Sequence, residues 1–264
     1  MAKIDLKNAT IKIWDGTLGT LLTDCTAALS DITWTAVSKH MGSRLISIEF
    51  DATGADESLA IAVTGTAIVV TLETISSVVQ TTAADLVAAI ALNAAAAALV
   101  TGVEEGVGSG ILETKAAANL SQGNSISITI GEGTLSYSEK TPREFVKDRG
   151  NLDTVRNADQ EPMDVSFDFI WDFITAESGG TATVEEALRR EGEAAAWVTS
   201  ATDTCQPYSV GLEIINAPSC SSVNDEYTMF EEFYQENLDH DAKEGTVACS
   251  GRCNKTAASH YRVA

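Results

Sequence analysis

The chain has 264 residues, with 38 acidic and 17 basic side chains and a formal net charge of −21. Its apolar share of 44% is enough for a real core and excludes a disordered acidic chain. The charge argues against a general nucleic-acid binder, which needs a basic face to grip phosphates. It leaves open a protein that stays near DNA without holding it.

Met1–Lys7 has no apolar signal core, so no secretory leader is expected. The long apolar stretch Thr82–Val100 contains Asp85 and Asn93 and is mostly alanine. That is too weakly hydrophobic for a membrane span. The 5 cysteines then suggest a reducing cytosol without an obligatory disulfide framework.

Composition shifts sharply along the chain. None of the 7 Phe, 5 Tyr and 4 Trp lies between Asp51 and Ser136, where alanine is heaped. All 4 prolines lie in the second half. Two units of different character are expected: an inserted α+β module over 31–123, and a mainly β domain from 1–30 joined to 124–264. The module carries 10 acids and 3 bases, net −7, and the remainder 28 and 14, net −14.

The first expected strand is Ile11–Trp14, running into a turn at Asp15-Gly16. Leu45–Phe50 alternates like a half-buried strand. Leu59–Val63 and Ile68–Leu72 do so more weakly around a Gly65-Thr66 turn. Thr81–Asp85 predicts a helix start, with a threonine cap and an acid in the first turn. Leu86, Val87, Ile90, Leu92 and the alanines carry the helix to about Leu99. Gly102–Gly110 reads as a loop and Leu112–Ala116 as a short strand. Ile126–Ile130 and Thr134–Tyr137 flank Gly131-Glu-Gly133, a hairpin signature. Met163–Trp171 alternates strictly, with Val165, Phe167, Phe169 and Trp171 on one face. Thr183-Val-Glu-Glu186 is a capping-box pattern, with Val184, Leu188, Ala195 and Trp197 marking an apolar helix side. Tyr208–Ile215, Tyr227–Phe233 and Gly245–Cys249 supply the last strands.

No Walker loop, nucleophile elbow or HExxH occurs, so no enzyme is expected. Three histidines exist: His40, His240 and His260. His240, in Asp239-His-Asp241, admits a metal reading but fits a solvated acidic turn better. Gly106-Val-Gly-Ser-Gly110 has no lysine and two acids beside it, so it does not read as a phosphate loop. Cys205, Cys220, Cys249 and Cys253 are the metal candidates, since four thiolates can hold zinc or an iron–sulfur cluster. No CxxC pair is present, so the spacing signal is weak, and buried free thiols fit better because free cysteine is among the most buried residue types. A disulfide closed after lysis is a third option. On an extended strand Cys249 and Cys253 share a face.

Ala9–Thr17, Ile128–Lys140, Asp148–Arg156, Glu161–Phe167 and Asn237–Asn254, taken in order, resemble bacteriophage tail tube proteins of one family. Cys205, Cys220 and Cys253 fall where that family carries cysteines. The inserted stretch resembles a different element, found inside diverse phage structural proteins. Asp31–Ala36, Ile46–Ile48, Val63–Thr66, Thr82–Ile90, Ala94–Val100 and Ala116–Leu120 carry that likeness. It departs at Lys39–Arg44, where more glycines are expected.

The resemblance implies a structural virion protein with a β-sandwich or barrel-like fold and a flanking helix. Subunits would form rings, typically hexameric, that stack helically into a hollow tail tube. Tape measure protein would occupy the tube and DNA would pass through it at ejection without specific binding. Further implied partners are other copies, tail terminator and baseplate proteins, and sheath protein if the tail is contractile. Assembly in the host cytoplasm and location in the virion follow. The family commonly reaches the next ring with an elongated loop, for which 138–161 is the candidate. The module is expected to project outward, with its two ends close together. An acidic lumen is expected to let DNA slide. The alternatives are another phage structural component, such as a capsid decoration or baseplate protein, and a cysteine-ligated metal protein. No cofactor is expected.

Overall fold

The computed structural model describes residues 9–37, 45–121, 123–128, 134–148, 151–171, 175–176, 179–203, 205–216 and 226–262. The chain divides into a discontinuous host unit, Met1–Gly16 with Asn124–Ala264, and a guest unit, Thr17–Gly123. The fold is mainly β.

The host unit opens with β1 (Ala9–Trp14). The chain then enters the guest through β2 (Thr20–Thr23) and β3 (Ile32–Ala36). This moves the expected boundary from 30/31 back to 16/17. The reason is a ladder: β2 pairs antiparallel with β3, and Trp34 Nε1 donates to Thr23 Oγ1 at 3.0 Å. Next come β4 (Ser47–Asp51), β5 (Ala60–Thr64) and β6 (Ala67–Thr71). The expected Gly65-Thr66 turn joins β5 to β6, with Gly65 at φ +61°. A short hairpin follows, β7 (Thr74–Ile75) and β8 (Val78–Val79).

Helix α1 (Ala83–Leu92) starts at Thr82, which forms a capping box with Asp85. It stops earlier than expected. Asn93 is extended, at φ −85° and ψ 104°, and its side chain caps a new turn, α2 (Ala94–Ala97), by accepting from Ala95 N and Ala96 N. β9 (Val100–Glu104) and β10 (Lys115–Asn119) complete the guest. Its sheets run β10-β4-β6-β5 and β2-β3-β9, with β4 and β6 parallel. Their buried faces and α1 share one core that includes Trp34, Phe50, Ile68, Leu72, Leu86 and Ile90.

The host resumes with β11 (Ser125–Ile128), β12 (Leu135–Ser138), β13 (Arg143–Asp148), β14 (Asn151–Asn157) and β15 (Met163–Ile170). Then follow α3 (Val184–Arg189), β16 (Val210–Asn216), β17 (Glu226–Asp241), β18 (Thr246–Cys253) and β19 (Ser259–Arg262). Thr183 and Glu186 form the expected capping box, but Arg190 at φ +58° ends α3 early. Trp197 is still buried in the core, without riding on the helix.

The main host sheet runs β11-β1-β16-β17-β18-β15-β12, with β19 beside the start of β17. β11 and β12 are neighbours in sequence yet lie at opposite ends of this order. Six strand spacings of about 4.8 Å make about 29 Å. The seven residues from Ile128 to Leu135 reach about 25 Å at most. The sheet is therefore rolled, and the rings of Tyr137 and Phe230 meet at 5.0 Å between β12 and β17. The expected β11–β12 hairpin is not formed among the described residues; its turn, 131–133, lies outside them. Each strand pairs elsewhere, β11 with β1 and β12 with β15.

Inside the roll, β15 buries Met163, Val165, Phe167 and Phe169 as its alternation predicts. β18 does the same with Val247, Cys249 and Cys253. β17 outruns its expected span because β18 pairs with it as far as Asp241.

The guest leaves the host through adjacent residues. Asn124 N and Nδ2 donate to the Asp15 carboxylate at 3.0 and 2.8 Å, and Asp15 N donates to Asn124 O at 3.0 Å. Trp14 opposes Ser125 in the ladder. An insertion fits here because both cut ends are held in one host ladder.

Candidate functional site

Among the described residues the cysteines are not gathered into a metal centre. Cys249 and Cys253 lie in the core, and burial pushes both thiols up to about 12; Glu231 and Glu232 add to the effect at Cys253. Thiols that remain protonated are poor ligands, since metals take the thiolate. Cys205 is exposed in a turn, its N–H bonded to Asp203 at 2.9 Å. Cys220 lies outside the described residues. Among the described residues no group of three or more His, Cys, Asp or Glu side chains is placed to hold a metal ion.

His240 is not in a turn but in β17. Its Nε2 lies 3.1 Å from Glu185 Oε1, and its ring meets Trp171 edge-on at 5.1 Å. Glu185 is buried and also pairs with Arg189 at 3.5 Å. His260 Nδ1 lies 3.1 Å from Thr228 Oγ1. His40 lies outside the described residues. The glycine-rich loop meets the start of α1, but its own carbonyls take the free N–H groups. Ala83 N donates to Gly110 O and Ala84 N to Gly108 O. That leaves the helix start without the donors a phosphate needs. Gly102 belongs to β9, where an added Cβ would lie 2.5 Å from the Trp34 ring.

Glu232 is a buried host acid held by several hydrogen bonds. It sits where the β16–β17 register shifts, in the left-handed region at φ +52°. Its carboxylate accepts from Thr202 N at 3.1 Å, from the Thr202 hydroxyl and from Asn254 Nδ2 at 2.9 Å. Burial opposes its charge, but these hydrogen bonds, with Lys255 nearby, outweigh it and hold the carboxyl below its ordinary value. A lowered folded-state pKa adds stability above the usual carboxylate range and loses it as pH falls through the folded value. Glu232→Gln is expected to cost about 2 kcal/mol at neutral pH. The gap from wild type should close in acid, as read by urea unfolding at several pH values. An equal gap at every pH would contradict this.

One surface feature is a two-stranded arm, β13–β14, that pairs with no other described strand. The sequence shows this region only as a long polar stretch. Its cue is Gly150 between two runs of mixed charge. Phe145 and Val155 oppose each other on one face, 58% and 57% exposed. Arg143 opposes Asn157 on the same face and bonds its amide oxygen. An isolated hairpin is marginal in water, and this one leaves two large apolar side chains exposed.

Beside the arm's root, the outward host face is polar. Ser136, Ser166, Ser250 and Asn237 form one register row across β12, β15, β18 and β17. Asp164 binds Lys140 at 2.8 Å and Arg252 at 3.2 Å one row further. Among the described residues no helix is long and apolar enough to cross a membrane. The chain matches no family model, and comparisons with curated proteins and with solved structures return no significant match.

Proposed function

We propose that this chain is a structural subunit of a bacteriophage tail tube, built of stacked and typically hexameric rings. The observation that carries the reading is the rolled host sheet with an unpaired arm in place of the expected long loop. The ordered sequence resemblance falls on that same unit. Sheets with open edges join those of neighbours, which removes the edges. The host carries 27 acids and 14 bases, net −13, so a bore lined by it conducts DNA without gripping it. Tape measure, terminator and baseplate proteins, and sheath in a contractile tail, are the partners of such a subunit.

Negative-stain electron microscopy of the purified chain tests this. Uniform hollow tubes are expected at high concentration, and Phe145→Asp should abolish them while leaving the melting temperature unchanged. Monomers or closed non-tubular particles from wild type would sink the reading, the latter in favour of a capsid or baseplate role.

A further inference from the structure

We infer that the β13–β14 arm of one copy docks on the outward face of the β2-β3-β9 sheet of a second copy. The face follows from period-two alternation. In β3, Ile32, Trp34 and Ala36 are buried, so Thr33 and Thr35 point the other way. The ladders place Leu22, Thr33 and Val103 in one row. Leu22 and Val103 are 59% and 65% exposed. Two residues further along each segment come Asp24, Asp31 and Glu105. The ladder continues there, since Glu105 N donates to Asp31 O at 2.9 Å. An apolar row is therefore followed, about 7 Å away, by an acidic one.

The arm carries the complement at the same spacing. Phe145 and Val155 form an exposed apolar pair. Arg143 lies two residues along, also about 7 Å away, and its bond to Asn157 keeps it on that face. Sheets stacked face to face keep their strands roughly aligned. One placement then seats the apolar pair on the Leu22–Thr33–Val103 row and the guanidinium on the acids.

Charge selects this occupant. Residues 143–157 hold 4 bases and 3 acids in a chain of net charge −21. The guest unit holds 11 acids and 3 bases. Nucleic acid and anionic lipid are repelled by that balance. A sugar would want an aromatic platform, and the guest's Trp34 and Phe50 are both buried. The contact is heterologous: each copy offers an arm and a face, so association closes into a ring or grows as a helix. The same contact recurs in every copy, so avidity builds as the assembly grows.

Sedimentation velocity of the full chain tests it. Phe145→Asp and Val103→Lys, each with unchanged circular dichroism and melting, should stop self-association. Mixed together they should form a heterodimer and grow no further, because one intact arm meets one intact face. Glu105→Arg should weaken association about tenfold, and adding Arg143→Glu should restore it. Absence of the heterodimer, a Glu105→Arg chain that associates like wild type, or a wild type that stays monomeric at all concentrations would each overturn the inference. Tubes from the Val103→Lys chain would overturn it and leave the tube reading standing. Heterodimers from the mixture, with no tubes from wild type, would do the reverse.

Discussion

Gly16→Ala is expected to destabilise the host unit by about 3 kcal/mol. A Cβ on Gly16 would lie 1.9 Å from Thr199 O, 2.5 Å from Thr199 C and 2.8 Å from Ser200 Cα. All three are backbone atoms, so no side chain can swing aside. Moving the strand away would break the 2.7 Å bond from Gly16 N to Val198 O. It would also pull on Asp15, which holds Asn124 twice and accepts from Val198 N at 3.4 Å. The strain thus lands where the guest is spliced into the host. Gly65→Ala is the useful contrast. Its Cβ would meet nothing, and only φ +61° penalises it. That variant should cost about 1 kcal/mol, and from the guest unit instead. Urea midpoints for both variants decide the matter. A Gly16→Ala midpoint at the wild-type value would mean that the 198–200 backbone yields freely.

What the sequence makes legible follows from where hydrophobicity has a period. β15 reads directly because Val165, Phe167 and Phe169 alternate with polar residues and fill the roll. The caps at Thr82 and Thr183 read because three-residue spacing to an acid has a local cause. The end of β17 does not read. Asn237–Asp241 is polar apart from Leu238, and only its ladder to β18 makes it a strand. β13 and β14 fail for the same reason: Arg143-Glu144 and Arg156-Asn157 give no apolar period, so cross-strand pairing alone defines them. The break at Asn93 is open to inspection, since asparagine favours caps over helix interiors, but the surrounding alanines mask it. Residues 17–30 read as host because Leu21-Leu22 shows no link to Trp34. That link is a tertiary hydrogen bond from Trp34 to Thr23. The arm is thus the least legible element and the splice joint only half legible, through Asp15-Gly16.

Trp34→Ala is expected to remove about 4 kcal/mol from the guest unit and little from the host. Trp34 is fully buried and meets Phe50 edge-on at 6.4 Å. These two are the guest's only aromatics, so no neighbouring ring can refill the space. Gly102 is bare to admit the indole, which enlarges the hole left behind. Thr23 Oγ1 also loses its donor. Trp34→Phe separates these effects: it keeps most of the volume, loses the N–H, and should cost about 1–2 kcal/mol. The host core is a separate cluster around Phe167, Phe169, Phe230 and Phe233. Hydrogen exchange of Trp34→Ala should therefore speed up across 17–123 while β15 and β18 peptides stay protected. A uniform loss of protection would show that the units unfold as one. The same variant bears on assembly. Warming it past the guest's own transition removes the β2-β3-β9 face and leaves the arm and the rolled sheet in place. Copies should then dissociate while the host is still folded, because joined sheet edges alone would not hold them once the guest face is lost.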